Sequence, residues 1–262
     1  MSTSSISRPG IKRFFDRNGY YLAQGVYSEE SLQSMESEFD RIVDQISSSG
    51  EQINARWHGP NTDQIDGGVS RIIHTHNVHR YSAVWLQALL QKRFLEVVTQ
   101  ILGPDTVLHH TKLFQKPPRE GAPFPIHQDW TYFPTKHDTM IAGIIFLTDA
   151  TDETGGLRLY PGTHKLGRQV NSSGRVASNV LDRYPLDQAQ AISAERGDVL
   201  FFSYFTLHGS TPNQSDRVRK TVLAELHSGK DFVTPRENGS HVNEHLVLSG
   251  WNYHMTRQLA DV

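Results

Sequence analysis

VLHHTKLF (Val107–Phe114), MIAGIIFL (Met140–Leu147), GLRLY (Gly156–Tyr160), VLFF (Val199–Phe202) and VLAEL (Val222–Leu226) are short runs of strand-forming residues. Gly, Pro and Asp divide them from one another, which is the texture of an antiparallel sandwich or barrel. Upstream the period changes from two to 3.6. Ile11 to Asn18 reads as a short helix leading into a strand at Tyr20–Gln24. Ser28 is an N-cap with Glu29 and Glu30 in the first turn, where negative charge suits the helix dipole. Leu32, Met35, Phe39, Ile42, Val43 and Ile46 then form one apolar stripe. After a polar stretch from Ser47 to Gly68, Val84, Leu86, Leu89, Leu90, Phe94, Val97, Val98 and Ile101 predict a second amphipathic helix, stopped by Gly103-Pro104. The expectation is one domain over residues 1–262, mainly β with flanking helices. Helices within 11–104 buttress a β-core at 105–230, and the long polar segment 164–191 is a lid over the substrate.

The 262 residues carry a formal charge of −2, which implies no broad basic surface for nucleic acid or anionic lipid. A small-molecule partner fits better. The absence of cysteine removes disulfides, thiolate zinc sites, iron–sulfur clusters and cysteine nucleophiles, so any metal must be held by nitrogen and oxygen. No apolar run approaches the roughly 20 residues of a membrane span, and Met1 to Gly10 lacks a signal-peptide core. The expectation is a cytoplasmic protein; the sequence says nothing of its oligomeric state.

His127-Gln128-Asp129 places an imidazole and a carboxylate two residues apart, on one face of an extended strand. Alone, one such pair is about what chance gives a chain with 14 histidines, and a structural role explains it equally well. Downstream, Arg196-Gly197-Asp198 turns into a buried strand, Leu207-His208-Gly209-Ser210 supplies a third ligand type, and Arg219 follows eleven residues later. Two histidines and one carboxylate on one face of an iron leave positions open for a bidentate 2-oxo acid and O2. An arginine fork suits the far carboxylate of 2-oxoglutarate. For His74, His76, His79, His109 and His110, satisfied polar or surface roles are expected rather than iron ligation.

The motifs His127-Gln128-Asp129-Trp130-Thr131-Tyr132-Phe133-Pro134, Gly155-Gly156-Leu157 through Tyr160-Pro161-Gly162-Thr163-His164-Lys165, Gly197-Asp198, and His208-Gly209-Ser210 to Arg219 resemble those of the phytanoyl-CoA dioxygenase family. The resemblance runs from about Leu108 to Leu226 and implies a double-stranded β-helix, or jelly roll. It implies Fe(II) on His127, Asp129 and His208, with 2-oxoglutarate and O2 as co-substrates. By the same resemblance Arg219 and Ser210 match the pair binding the distal 2-oxoglutarate carboxylate, Lys112 matches another co-substrate contact, and Arg71 is a further candidate for that purpose. Where some members carry Trp, this chain has Ile145, which implies an altered pocket wall. Related halogenases replace the carboxylate ligand by a small residue, and Asp129 argues against that chemistry. The implied activity is oxidation, most commonly hydroxylation, of an unactivated C–H bond in a small organic substrate. A specialised metabolite is favoured over an acyl-CoA thioester, because no Lys/Arg cluster suited to the CoA phosphates stands out in the lid. An amino-acid-like substrate, or a barrel that binds metal without turnover, is the alternative. Trp130, Tyr132, Phe133 and Tyr204 either line the substrate pocket or pack as core, and the sequence leaves both open.

Overall fold

The computed structural model describes residues 8–51, 63, 72–169, 176–234 and 243–255. Helix α1 (Arg8–Asn18) leads into strand β1 (Tyr20–Ala23), and α2 (Glu29–Ser49) follows. The Ser28 hydroxyl accepts from the Ser31 amide, and Leu32, Met35, Phe39, Ile42 and Val43 are buried on one face of α2. In place of the single helix expected over 84–101 stand two, α3 (Ala83–Leu89) and α4 (Lys92–Leu102), broken at Gln91, whose ψ of 132° is extended. The reason lies in the phase of the apolar stripe. Trp85, Ala88 and Leu89 are buried on α3, but the 3.6 period would continue through Lys92 and Glu96, whereas the buried residues are Phe94, Val97, Val98 and Ile101. The break resets the phase so that both helices bury their apolar faces.

The strands are β2 (Ile73–His76), β3 (Thr106–Lys116), β4 (Phe124–His127), β5 (Ile141–Phe146), β6 (Leu157–Leu159), β7 (Gln190–Ala191), β8 (Val199–Ser203), β9 (His208–Ser210), β10 (Arg219–Ser228) and β11 (Leu246–Ser249). All pair antiparallel, in a seven-stranded sheet of order β1-β8-β5-β10-β3-β11 with β2 also on β3, and a four-stranded sheet of order β4-β9-β6-β7. Strands β1 and β2 precede residue 105 and β11 follows residue 230, so the large sheet draws on chain outside the expected 105–230 core. The whole is the expected jelly roll, mainly β with flanking helices.

Side-chain alternation assigns the faces of the large sheet. Val199 and Phe201 of β8 and Val222, Ala224 and Leu226 of β10 pack against the helices, with Phe94 and Phe201 rings 5.4 Å apart. Leu200 and Phe202 of β8 and Phe146 of β5 turn the other way, towards Leu157 and Leu159 of the small sheet. Ile145 faces the helices, so it does not alter the pocket wall as expected; its neighbour Ile144 lines the cavity between the sheets. The short helix α5 (Ser178–Arg183) and its surroundings cover the outer face of the small sheet, where Val180, Ala189 and Leu186 pack with Ile126 and Leu207. None of the described residues of 164–191 lines the cavity. Among the described residues, no helix is long and apolar enough to cross a membrane.

Candidate active site

His127 ends β4, Gln128 is extended (φ −129°, ψ 139°), and Asp129 begins a 3-10 turn, so the two candidate ligands share a face although they do not share a strand. Gln128 therefore points the opposite way. Its amide nitrogen donates to the carbonyls of Gly167 (2.9 Å) and Phe205 (2.6 Å), and its oxygen accepts from Trp130 Nε1 (3.0 Å) and the Gln169 amide (2.9 Å). That uses the full hydrogen-bonding capacity of the side chain. On the neighbouring strand β9, His208 lies opposite His127. Gly209 between His208 and Ser210 is required by close approach, since a Cβ there would stand 2.7 Å from the Phe124 carbonyl oxygen.

The ligand atoms of His127, Asp129 and His208 all lie within 4.8 Å of one another, and no other group of three among the described residues is so arranged. Asp129 Oδ1 is 3.4 Å from His127 Nε2, and Oδ2 is 3.5 Å from His208 Nε2. Each imidazole donates Nδ1–H to a backbone carbonyl two residues back, His127 to Pro125 (2.8 Å) and His208 to Thr206 (2.9 Å). Both rings are thereby fixed in the tautomer that turns the Nε2 lone pair to the centre, as a metal requires. Burial first, then His127, pushes the His208 pKa down to about 4 against the pull of Asp129. Burial would raise the Asp129 carboxyl, but His208, His127 and Lys112 outweigh it and hold it below the usual range. Two lone pairs and a carboxylate, convergent and largely shielded from solvent, are a donor set that fits a divalent iron.

These three groups open into a cavity of about 170 Å³ between the sheets, roughly ten times the space one water needs. The pocket-facing residues of β10 are Arg219, Thr221, Leu223 and Glu225, at the strand period of two. At the Arg219 end stands a cluster of buried donors. Lys116, opposite Arg219 in the β3–β10 register, donates to Ser210 Oγ (2.6 Å), Thr211 O (2.6 Å) and Gly155 O (3.2 Å). Arg219 also donates to Gly155 O, while its buried Nε has no partner. Burial lowers the Arg219 pKa to about 10, which leaves it a cation at neutral pH. An unpaired guanidinium donor beside a held hydroxyl fits a carboxylate.

Of the other candidates, Ser210, Lys112, Tyr132 and Phe133 line the cavity. Burial pulls the Lys112 pKa down to about 8, opposed by Asp129 and Glu225. Trp130 and Tyr204 do not line it. Trp130 is spent on Gln128 and lies under the Arg168 guanidinium, and Tyr204 is fully buried, with its hydroxyl on Asp138 and Thr135. Arg71 lies outside the described residues. His110 lines the cavity, while His109 is buried beside it in the strand. Sequence reasoning passed over Lys116 and Glu225. The signal for Glu225 was present: it is the one charged residue inside VLAEL, in a strand otherwise built for burial.

The sequence matches the phytanoyl-CoA dioxygenase family over residues 15–221. It is 26% identical, over 80% of this chain and 77% of the other, to the "Probable alpha-ketoglutarate-dependent hypophosphite dioxygenase" of Stutzerimonas stutzeri. Among solved structures it is similar to the non-haem alpha-ketoglutarate-dependent carbocyclase SnoK from nogalamycin biosynthesis (TM-score 0.74, 19% identity, covering 90% of this chain and 89% of that one). It is likewise similar to the epimerase SnoN in complex with Fe3+, alpha-ketoglutarate and a nogalamycin (TM-score 0.71, 17% identity, 94% and 97% covered). The chain therefore belongs to the phytanoyl-CoA dioxygenase family and is a 2-oxoglutarate-dependent non-haem iron dioxygenase.

Proposed function

We propose that His127 Nε2, His208 Nε2 and the Asp129 carboxylate hold Fe(II), and that 2-oxoglutarate lies between this centre and Arg219, oxidising a C–H bond of a small organic substrate. The carrying observation is that the convergent His-Asp-His group, the one such group among the described residues, opens into the cavity that also presents buried Arg219, with its unpaired Nε, beside Ser210. Bound iron supplies the activation of O2, coupled to conversion of 2-oxoglutarate into succinate and CO2. The protein supplies position. The carbonyls of Pro125 and Thr206 keep both imidazoles oriented, and Arg219 with Ser210 takes the distal carboxylate, while Lys116 holds the Ser210 hydroxyl in place. Lys112 lines the wall between these groups and adds positive charge where the reacting end of the co-substrate lies. The apolar walls Ile144, Phe146, Leu157 and Phe202 keep water from the reacting atoms.

A specialised metabolite is the proposed substrate class, supported by the likeness to the nogalamycin enzymes. The test is substrate-dependent succinate release across a compound library, with Asp129→Ala as the control. Losing one of three protein ligands should abolish turnover and lower Fe(II) affinity by more than about 100-fold. Activity in that variant within a few-fold of the parent would remove the triad from the reaction.

A further inference from the structure

Glu225 is fully buried, faces the cavity, and neither of its carboxylate oxygens has a hydrogen-bond partner. Buried polar groups are almost always paired, and an isolated carboxylate is among the costliest to leave alone. Lys112 lines the same wall and attracts Glu225 through space, yet no hydrogen bond joins the two. Burial first, then the like charge of Asp129, push the Glu225 carboxyl well above its ordinary range against the pull of Lys112, so the group keeps its proton until a cation seated against it displaces that proton.

Its place along β10 says what it faces. Arg219 and Glu225 are six residues apart on one face, about 20 Å along a strand. On the small sheet, Ser210 stands at the Arg219 end, tied there by Lys116, and His208 lies two residues away from that end. If 2-oxoglutarate lies between the metal and Arg219 as proposed above, on which reading this inference rests, the Glu225 end is left to the substrate. The wall there is specialised in another way. The register of β3 on β10 slips between Glu225, opposite His110, and Leu226, opposite Leu108, leaving His109 as the extra residue of a β-bulge. Bulges of this kind re-aim side chains beside functional sites. His110 thus lies across from Glu225, and the Phe133 ring packs 5.3 Å from its imidazole, with Tyr132 also on the cavity wall. A buried, unpartnered carboxyl that ionises against a cation, in a cavity also lined by Tyr132 and Phe133, is the complement of a cationic nitrogen.

We infer that Glu225 selects the substrate by binding a protonated amine, and that the oxidised C–H bond belongs to an amine-bearing molecule.

The test uses the enzyme loaded with Fe(II) and 2-oxoglutarate and a panel of small primary and secondary amines, each matched with its neutral N-acetyl derivative. Amines should stimulate succinate release and their acetylated partners should not. For the most effective amine, anaerobic calorimetry should show affinity lower by about 10- to 100-fold in Glu225→Gln, the range set by loss of a charged hydrogen bond. Glu225→Asp, which keeps the charge, should keep the preference for amine over acetamide. The inference is overturned if no amine stimulates, if acetamides stimulate equally, or if Glu225→Gln binds the amine as the parent does. The last result would mean a neutral hydrogen bond at this site, which glutamine can replace. The Fe(II)–2-oxoglutarate charge-transfer absorption, recorded anaerobically without any amine, separates the two readings. Its absence in the parent protein sinks the proposed function, while its presence with amine-independent binding sinks only the role of Glu225.

Discussion

Arg219, which lines the cavity, is held rather than free to swing, because one arm of its guanidinium is committed to the Gly155 carbonyl, while its buried Nε has no partner. Gly155 itself has φ 73°, and a Cβ there would stand 2.7 Å from the Thr211 carbonyl oxygen, so the turn that presents its carbonyl depends on glycine. A lysine at 219 would keep the charge but lose the planar fork that reaches Gly155 and a carboxylate together. Arg219→Lys should therefore raise the Michaelis constant for 2-oxoglutarate by about 10-fold or more, with Fe(II) affinity unchanged. Steady-state kinetics and a metal titration check both halves. An unchanged co-substrate constant would pass the role to Lys116 or Lys112.

Between the residues and the whole stand the elements that keep them in register. The turn after β4 is anchored through Gln128, which ties the metal motif to the carbonyls of Gly167 and Phe205 and to the Gln169 amide. Gln128→Ala strands buried groups on three segments and should cost about 2–3 kcal/mol in unfolding free energy, with Fe(II) affinity lower by about 10-fold. Denaturant melts and metal titration measure these, and a variant equal to the parent in both would make the tie incidental. Asp231 does the same for the approach to β5. It accepts from the His137 and Thr139 amides (2.8 and 3.1 Å) and the Thr139 hydroxyl (2.7 Å). Burial pushes its carboxyl up, but these donors outweigh burial and hold it below its ordinary value. The stability it adds is complete above the ordinary carboxylate range and is lost as pH falls through that depressed value. Asp231→Asn should cost about 2 kcal/mol at neutral pH, and the gap from the parent should close in acid. A gap that stays constant with pH would exclude the charge as the cause. Much of this level was legible in the sequence. The five strand runs, the Ser28 cap and the His-Gln-Asp motif are local patterns, and each appears where its period placed it. Strand β4 and strand β9 escaped because they are only four and three residues long, with Pro125 and Gly209 inside them. The split between α3 and α4 was legible as a phase jump in the apolar stripe. The pairing of β1 with β8, some 180 residues away, has no local signature.

The molecule as a whole is layered: helices, the large sheet, the cavity, the small sheet, and then the described residues 176–189 on the outside. The proposed ligands His127 and His208 ride on the thinner sheet, and what steadies it from behind is this outer segment. Ile126 and Leu207 are the immediate neighbours of His127 and His208, and they pack outward onto Val180 and Ala189 just as the ligands point inward. Leu186 completes the contact, since a Cβ on Gly209 would meet its Cδ1 at 2.9 Å. A lid that closes over substrate and a brace that stiffens the ligand strands predict opposite results. Leu186→Asp puts a charge against the outer face of β9 without touching the cavity. If the segment is a brace, Fe(II) affinity should fall by several-fold and thermal stability with it, by about 1–3 kcal/mol, while the ranking of substrates is kept. If it is a lid, metal affinity should hold and substrate range should shift. The packing of Leu186 on β9 favours the first outcome, and parallel metal titration and substrate profiling of the one variant decide between them.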